Sequence, residues 1–329
     1  REDKFFIFEL LLIDLYLSMK KVFFSAAALM CGTMLFAQSN VSDVDQSGVS
    51  NDSDVYQQGA NNDSDVDQYG SVPSNPNSGE ANDSDVFQLG DLNKSKVKQA
   101  GDRNLGDVYQ EGNRNNARID QGVSAAEDNF AYANQLGNRN KSVQIQRYDN
   151  NFGDIDQDGN RNVGRQNQNA VPNQSAGNTA YLTQAGNRNF SNQKQTGGDN
   201  FSDVDQIGDD NESRVFQVGI NNSSIVDQIG NLNDSYVSQD GDDNIETTSQ
   251  TGNSNVASTI QDGDQNDSTT LQLGDSNSSM VGQIGLSHLS DVYQSGNFNT
   301  STVDQSGNTH MSDVDQIGDS NISIVIQND

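Results

Sequence analysis

The sequence is poor in the residues that usually close a small fold. Its 329 residues include one cysteine, Cys31, three prolines, two histidines and no tryptophan. A single Cys leaves no disulfide framework and no cysteine metal site. Only 31% of residues are hydrophobic and the mean hydropathy is -0.78. An ordinary apolar core is hard to build from such a chain, and composition alone points toward disorder. Cations are also scarce, with 18 Lys and Arg against 47 Asp and Glu, a net charge of -29. Residues 38–93 hold 11 acids and no base, and residues 215–329 hold 16 acids and no base. Between them, residues 94–214 hold 16 acids and 14 bases. Phosphate backbones are bound by clustered Lys and Arg, so this balance argues against nucleic acid as a partner. The plain reading of the acids is a solvated, soluble surface.

What the chain has instead is a strict repeat, and a disordered chain has no reason to hold a register. Ser202, Val204, Gln206, Gly208 and Asn211 recur as Ser213, Val215, Gln217, Gly219 and Asn222. From Gln184 to Gln327 a Gln stands at every eleventh position, 14 in all. Earlier units carry Gln46, Gln57, Gln68, Gln88, Gln99, Gln110, Gln121, Gln135, Gln146, Gln157 and Gln168, which makes 25 units. The position two before the Gln is most often Val, from Val44 to Val325. The position four before it is Ser, Ala or Gly in every unit except one, which has Glu246.

Alternation of Ser, Val and Gln has period two and predicts a strand, with these three on one face. Gln-x-Gly-x-x-Asn is then a turn: Gly supplies positive φ, and Asn tolerates the left-handed region or bonds its own backbone. The register breaks three times, with 9 extra residues between Gln68 and Gln88, 3 between Gln121 and Gln135, and 5 between Gln168 and Gln184. We expect loop insertions near 71–80, 123–127 and 170–176. They follow units 3, 7 and 11, so in a coil of two units per turn all leave from one edge. Pro73, Pro76 and Pro172 fall in them, and none falls in a strand. The expected fold is all-β, a two-strand-per-turn β-solenoid of 11-residue units and about 12 turns, with strands about 4.8 Å apart along its axis.

In such a coil like stacks on like. Each Gln amide can donate to the next, which makes a polar core affordable. The expected structural ladder includes Gln184, Gln206, Gln217, Gln228, Gln239, Gln305, Gln316 and Gln327, with Asn189, Asn211, Asn222 and Asn233 in the turns. We expect no capping unit at either end of the repeat array, although solenoids need caps for solubility. An unpaired strand edge templates addition of another chain. The expected assembly edge comprises Asn40, Val44 and Gln46 at one end and Ile324, Val325 and Ile326 at the other.

The repeats resemble those of curlin, the secreted subunit of bacterial curli fibres, a functional amyloid. Curlin repeats carry Ser-x5-Gln-x-Gly-x-Gly-Asn-x-Ala-x3-Gln. Here Gln206, Gly208, Asn211, Ser213 and Gln217 keep the Gln, Gly, Asn, small-residue and Gln spacing, and Gln184, Gly186, Asn189 and Ser191 do so too. The resemblance covers residues 40–329. It implies a homopolymer built end to end, export across the outer membrane by secretion and nucleation factors, an extracellular or cell-surface fibre, adhesion and a biofilm matrix. It departs at the second Gly of the curlin turn, where Asp210, Asn221 and Asp243 stand, and curlin's units are twice as long. Curlin's N-terminal secretion-targeting segment has no counterpart between Gln38 and Asn40.

Upstream, Met19, Lys20 and Lys21 followed by the apolar residues 22–36 read as a signal peptide, residues 19–37, cut after Ala37. Residues 1–18 read as upstream translated sequence, and residues 38–329 as the repeat domain. Asp-x-Asp pairs recur, and Asp203, Asp205, Asp313 and Asp315 are the candidates for Ca²⁺. The favoured reading of these pairs is outward solvation that restrains aggregation. A monomeric, Ca²⁺-dependent repeat adhesin is therefore the alternative function. An ice-binding solenoid lacks its regular Thr-x-Thr faces. His288 and His310 both occupy the turn-Asn position, 22 residues apart, and should stack on one edge. No nucleophile–base set, phosphate loop or convergent acid pair marks an enzyme or a cofactor.

Overall fold

The computed structural model describes residues 39–69, 80–170 and 176–329, with side chains 123–125 left aside. The expected upstream segment, the signal peptide with Cys31, and the three prolines lie outside these residues. Asn40–Asp329 forms one unit by itself.

Each 11-residue unit gives one strand, from β1 (Val41–Gln46) to β25 (Ile322–Asn328). The alternation does what the sequence dictates. In β14 (Phe201–Ile207), Ser202, Val204 and Gln206 are buried while Asp203 and Asp205 face outward. Strands pair in parallel with the strand two units away. The odd-numbered strands form a 13-stranded sheet and the even-numbered ones a 12-stranded sheet. Gln206 of β14 is in register with Gln228 of β16 (Ser223–Ile229), while Gln217 of β15 (Glu212–Ile220) belongs to the other sheet. The architecture is therefore the expected two-strand-per-turn β-solenoid. The inward valines form the apolar part of the core, as with Val204, Val215, Val226 and Val237, all 0% exposed. Burying each stabilises the fold by roughly 1.5–3 kcal/mol before entropy is counted.

The small-residue column is selected for size. Gly106, Ala117, Ala131 and Gly153 replace Ser freely, and the buried hydroxyls of Ser213, Ser235 and Ser268 find no hydrogen-bond partner among the described residues.

The turns decide between the two roles expected of Asn, which bonds backbone carbonyls through its side chain. The turn Asn is not the left-handed residue. That conformation falls on the residue before it: Asp210 has φ 59°, Asn221 59° and Asp243 57°. These are the positions where curlin has its second Gly. The first Gly is required by contact. Gly208 has φ +118°, and a Cβ there would lie 2.0 Å from the carbonyl oxygen of Gly230 in the next rung. The three register breaks follow or lie in β3 (Asp63–Tyr69), β7 (Asn116–Glu127) and β11 (Val163–Asn169), all strands of the odd-numbered sheet, and the loops expected near 71–80 and 170–176 fall almost wholly outside the described residues. The residues expected as a loop near 123–127 lie instead within β7 (Asn116–Glu127), where Gly101 pairs with Ala126 after a register shift. The sheet absorbs this short insertion as an irregularity because its ends remain one rung apart.

Candidate assembly interface

The amide ladders run along the solenoid axis. Gln184 Nε2 donates to Gln206 Oε1 at 2.8 Å, and Gln206 Nε2 to Gln228 Oε1 at 2.8 Å. The second proton of Gln206 Nε2 goes across the core to the Phe190 carbonyl at 3.0 Å. On the other sheet Gln217 donates to Gln239 at 2.8 Å, and Gln305 to Gln327 at 2.8 Å. Gln316 accepts from Gln294 at 2.8 Å. Each amide thus ties one rung to the next and one sheet to the other. A buried amide left unpaired costs about 1–3 kcal/mol, so a missing member harms both neighbours.

The turn Asn residues form a second ladder, and this explains why they avoid the left-handed slot. Asn211 N–H donates to Asn189 Oδ1 at 3.0 Å, Asn211 Nδ2 to the Gly230 carbonyl at 2.8 Å, and Asn211 Oδ1 accepts from Asn233 N–H at 3.0 Å. Asn222 repeats the pattern with Asn200 and Gly241. His288 and His310 stand in this column with rings 5.3 Å apart and 3° from parallel. His288 imitates Asn. Its Nδ1 accepts from His310 N–H at 3.2 Å, which leaves Nε2–H to face the Ile284 carbonyl at 3.1 Å.

The ladders have a direction. Gln amides donate toward the C-terminal end, so Gln46 and Gln57 in the first two rungs keep an Oε1 that accepts from no earlier Gln among the described residues. At the other end Gln327 Nε2 donates, among the described residues, only across the core, to the Met311 carbonyl at 2.8 Å. Asn40 Oδ1 accepts from Asn62 N–H, as the first member of its column. Val44 is exposed in β1.

In β25, Ile322, Ile324 and Ile326 are 77%, 68% and 64% exposed. Val325 differs: its side chain packs against the cluster of Val281, Val292, Val303 and Val314. Backbone direction separates them as well. Thr300 N–H donates forward to the Asn321 carbonyl, and Thr300 is in register with Ile322. Amides alternate sides along a strand. The N–H groups of Ile322, Ile324 and Ile326 therefore face the open side, and that of Val325 faces β23 (Thr300–Asn308).

The candidate Ca²⁺ residues lie outward on the even-numbered sheet, Asp203 and Asp205 in β14, Asp313 and Asp315 in β24 (Met311–Ile317). Ten rows of repeat separate the two pairs in sequence, and among the described residues no group of three or more His, Cys, Asp or Glu side chains is arranged to hold a metal ion. Partial burial, then the neighbouring Asp205 and Asp227, push Asp203 up to about 6. Asp227 and Asp291 are raised for the same reasons, burial first and adjacent carboxylates second.

Two features escaped the linear reading. Sorting residues by sheet shows that every Lys and Arg in a strand belongs to the odd-numbered sheet, from Lys94 to Arg214, and the even-numbered strands carry none. Listing odd and even units separately would have found it. The second is Glu246, the lone exception in the small-residue column. It is fully buried and bonded by Ser224 Oγ at 2.8 Å and by Thr248 Oγ1. Burial pushes its carboxyl up to about 7 against these two bonds.

Ladders, turns and register define the class, a β-solenoid tied rung to rung by side-chain amides. The model of the curlin associated repeat matches four times across the chain, at residues 39–70, 101–137, 208–241 and 289–318, which supports a curlin repeat family. The family is one of structural subunits. No curated protein matches the chain.

Proposed function

We propose that the chain is a secreted structural subunit that assembles end to end into curli-like amyloid fibres, serving adhesion and a biofilm matrix at the cell surface. The observation that carries this reading is the polarity of the terminal rungs. Among the described residues, no strand takes up the backbone N–H groups of Ile322, Ile324 and Ile326, and no earlier Gln donates to the oxygens of Gln46 and Gln57. One copy stacked on another continues both ladders with donors meeting acceptors, and covers the exposed isoleucines. Export and nucleation partners follow from the family resemblance.

The test uses the full chain and growth from preformed parent fibres. Ile324→Pro removes an outward donor and leaves the bonds between β25 and β23 in place. We expect normal strand content by circular dichroism and fibre growth at least about tenfold slower, the effect of losing a donor at the growing edge. At the equivalent internal position, Arg214→Pro deletes a bond between β15 and β17 (Asp234–Asp240) and should lower strand content itself. Growth of Ile324→Pro at the parent rate would overturn end-to-end addition and favour the monomeric adhesin.

A further inference from the structure

One edge of the solenoid carries a cation column that fibre formation does not use. It lies in the turns after β6 (Leu105–Glu111), β8 (Phe130–Asn138), β10 (Phe152–Asn160) and β12 (Thr179–Asn187). There the left-handed residue before the turn Asn is Arg114, Arg139, Arg161 and Arg188, with φ of 61°, 61°, 62° and 59°. Arg139 N–H donates to the Asn113 carbonyl, Arg161 to Asn138 and Arg188 to Asn160, each at 2.9 Å. The four are thus fixed one rung apart, about 4.8 Å.

Backbone preference does not select them. The left-handed conformation costs an L-residue roughly 1–2 kcal/mol, and Asn, Asp or Gly fits it more cheaply. Charge pairing does not account for them either. Arg188 is closed off by Asp210, at 2.6 Å from Nε and 2.5 Å from an Nη. Arg114, Arg139 and Arg161 have no acidic partner among the described residues, although the chain has a net charge of -29. Stacked guanidinium groups repel one another, and a bound anion relieves that repulsion.

The column borders a cleft of about 550 Å³. Its floor is a further amide ladder, distinct from that of the turn Asn: Asn113 Nδ2 donates to Asn138 Oδ1 at 3.2 Å, Asn138 to Asn160 at 3.0 Å and Asn160 to Asn187 at 2.9 Å. Each amide spends one proton on the ladder and retains a second. The cleft has Asp91 and Leu92 at one end, the Asp91 carboxylate being taken up by the Ala60 N–H at 2.8 Å, and no aromatic lining, so it offers no platform on which bases could stack. It presents a guanidinium fork and an amide N–H at every rung, suited to a carboxylate and a hydroxyl that recur along an extended polymer.

We propose that this cleft binds an acidic polysaccharide, a linear polymer with a carboxylate on each sugar. The site is on the lateral edge, so it stands whether or not the terminal rungs polymerise.

The test immobilises the full chain sparsely on a sensor surface and measures binding of polygalacturonate. Its methyl ester, with the same backbone and no charge, is the control, and poly(dT) reports a nucleic-acid site. We expect polygalacturonate to bind, the ester not to bind, and poly(dT) to bind more weakly. The double variant R139Q/R161Q should weaken binding at least about tenfold, the contribution of a charge-assisted hydrogen bond. Arg103→Gln, on the opposite edge and already paired with Asp128 and Glu127, should leave it unchanged. Should the double variant lose strand content, Arg161→Lys, which keeps the charge and loses the fork, should still weaken binding. Equal affinity for the ester, poly(dT) bound as tightly as polygalacturonate, or unchanged binding by folded R139Q/R161Q would each overturn the proposal.

Discussion

The rungs from β14 to β17 and those from β18 (Ile245–Thr251) to β20 (Asp267–Leu273) share one register and differ in what fills them. The first set stacks Val204, Val215, Val226 and Val237. The second puts Thr248, Thr259 and Thr270 in the same column and buries Glu246 beside them. The apolar clusters stop at Val237 and resume at Val281. The amide ladders do not stop. Gln228 donates to Gln250, Gln250 to Gln272 and Gln239 to Gln261, all at 2.9 Å, and strand pairing crosses the polar stretch without a slip. Side-chain amides, more than apolar burial, therefore specify the coil. Valine adds stability where it is present, and its absence does not change the register.

The largest effect that could break this comparison is loss of one ladder member in the polar stretch. Gln250→Leu strands the Gln228 amide and the Gln272 oxygen, and we expect a loss of roughly 3 kcal/mol, from two buried groups unpaired. Denaturant unfolding of the full chain would show it as a lower midpoint. A loss no larger than that of an exposed substitution would mean that the threonines hold the stretch themselves.

Glu246 gives the next test. Its carboxyl lies at about 7 in the fold against an ordinary 4.5. Folded chains keep the proton that unfolded chains release between these values. The stabilisation is complete below about pH 4.5 and is lost as pH rises through about 7. Glu246→Gln should remove this decline from a plot of unfolding midpoint against pH, and an unaltered slope would place its origin elsewhere.

The smallest effect runs the other way. Thr259 Oγ1 is buried with no partner among the described residues. Thr259→Val replaces it with a methyl group of similar shape and should stabilise the chain by about 1 kcal/mol, raising the thermal midpoint. A lower midpoint would show that the hydroxyl has a use.

Much of this fold is legible in the sequence. An eleven-residue period with alternation inside each unit leaves few ways to bury Ser, Val and Gln together, and stacking every second unit is the simplest. The turn was only half legible. Asn favours both left-handed backbone and side-chain bonding to the backbone, so the sequence does not say which of these Asn211 uses. The role of Asp210 as the left-handed residue emerges only when both are placed. Val325 looks like its isoleucine neighbours as an apolar residue at the end of the array, yet alternation turns its amide and side chain inward. The arginines of the cleft are spread over 75 residues of sequence and become neighbours only after the coil closes.

The assignment of alternate units to two sheets limits how such a chain can lengthen or shorten. Removing one eleven-residue unit would keep every Gln in phase, so the coil could still close. Every strand beyond the deletion would nevertheless change sides. Basic strands would move into the sheet that carries no Lys or Arg, columns of acids would be interrupted, and later insertions would emerge on the opposite edge. Two units gained or lost together would disturb none of this. Duplication in pairs is thus the heritable step that preserves the faces, although the visible motif is only half that long.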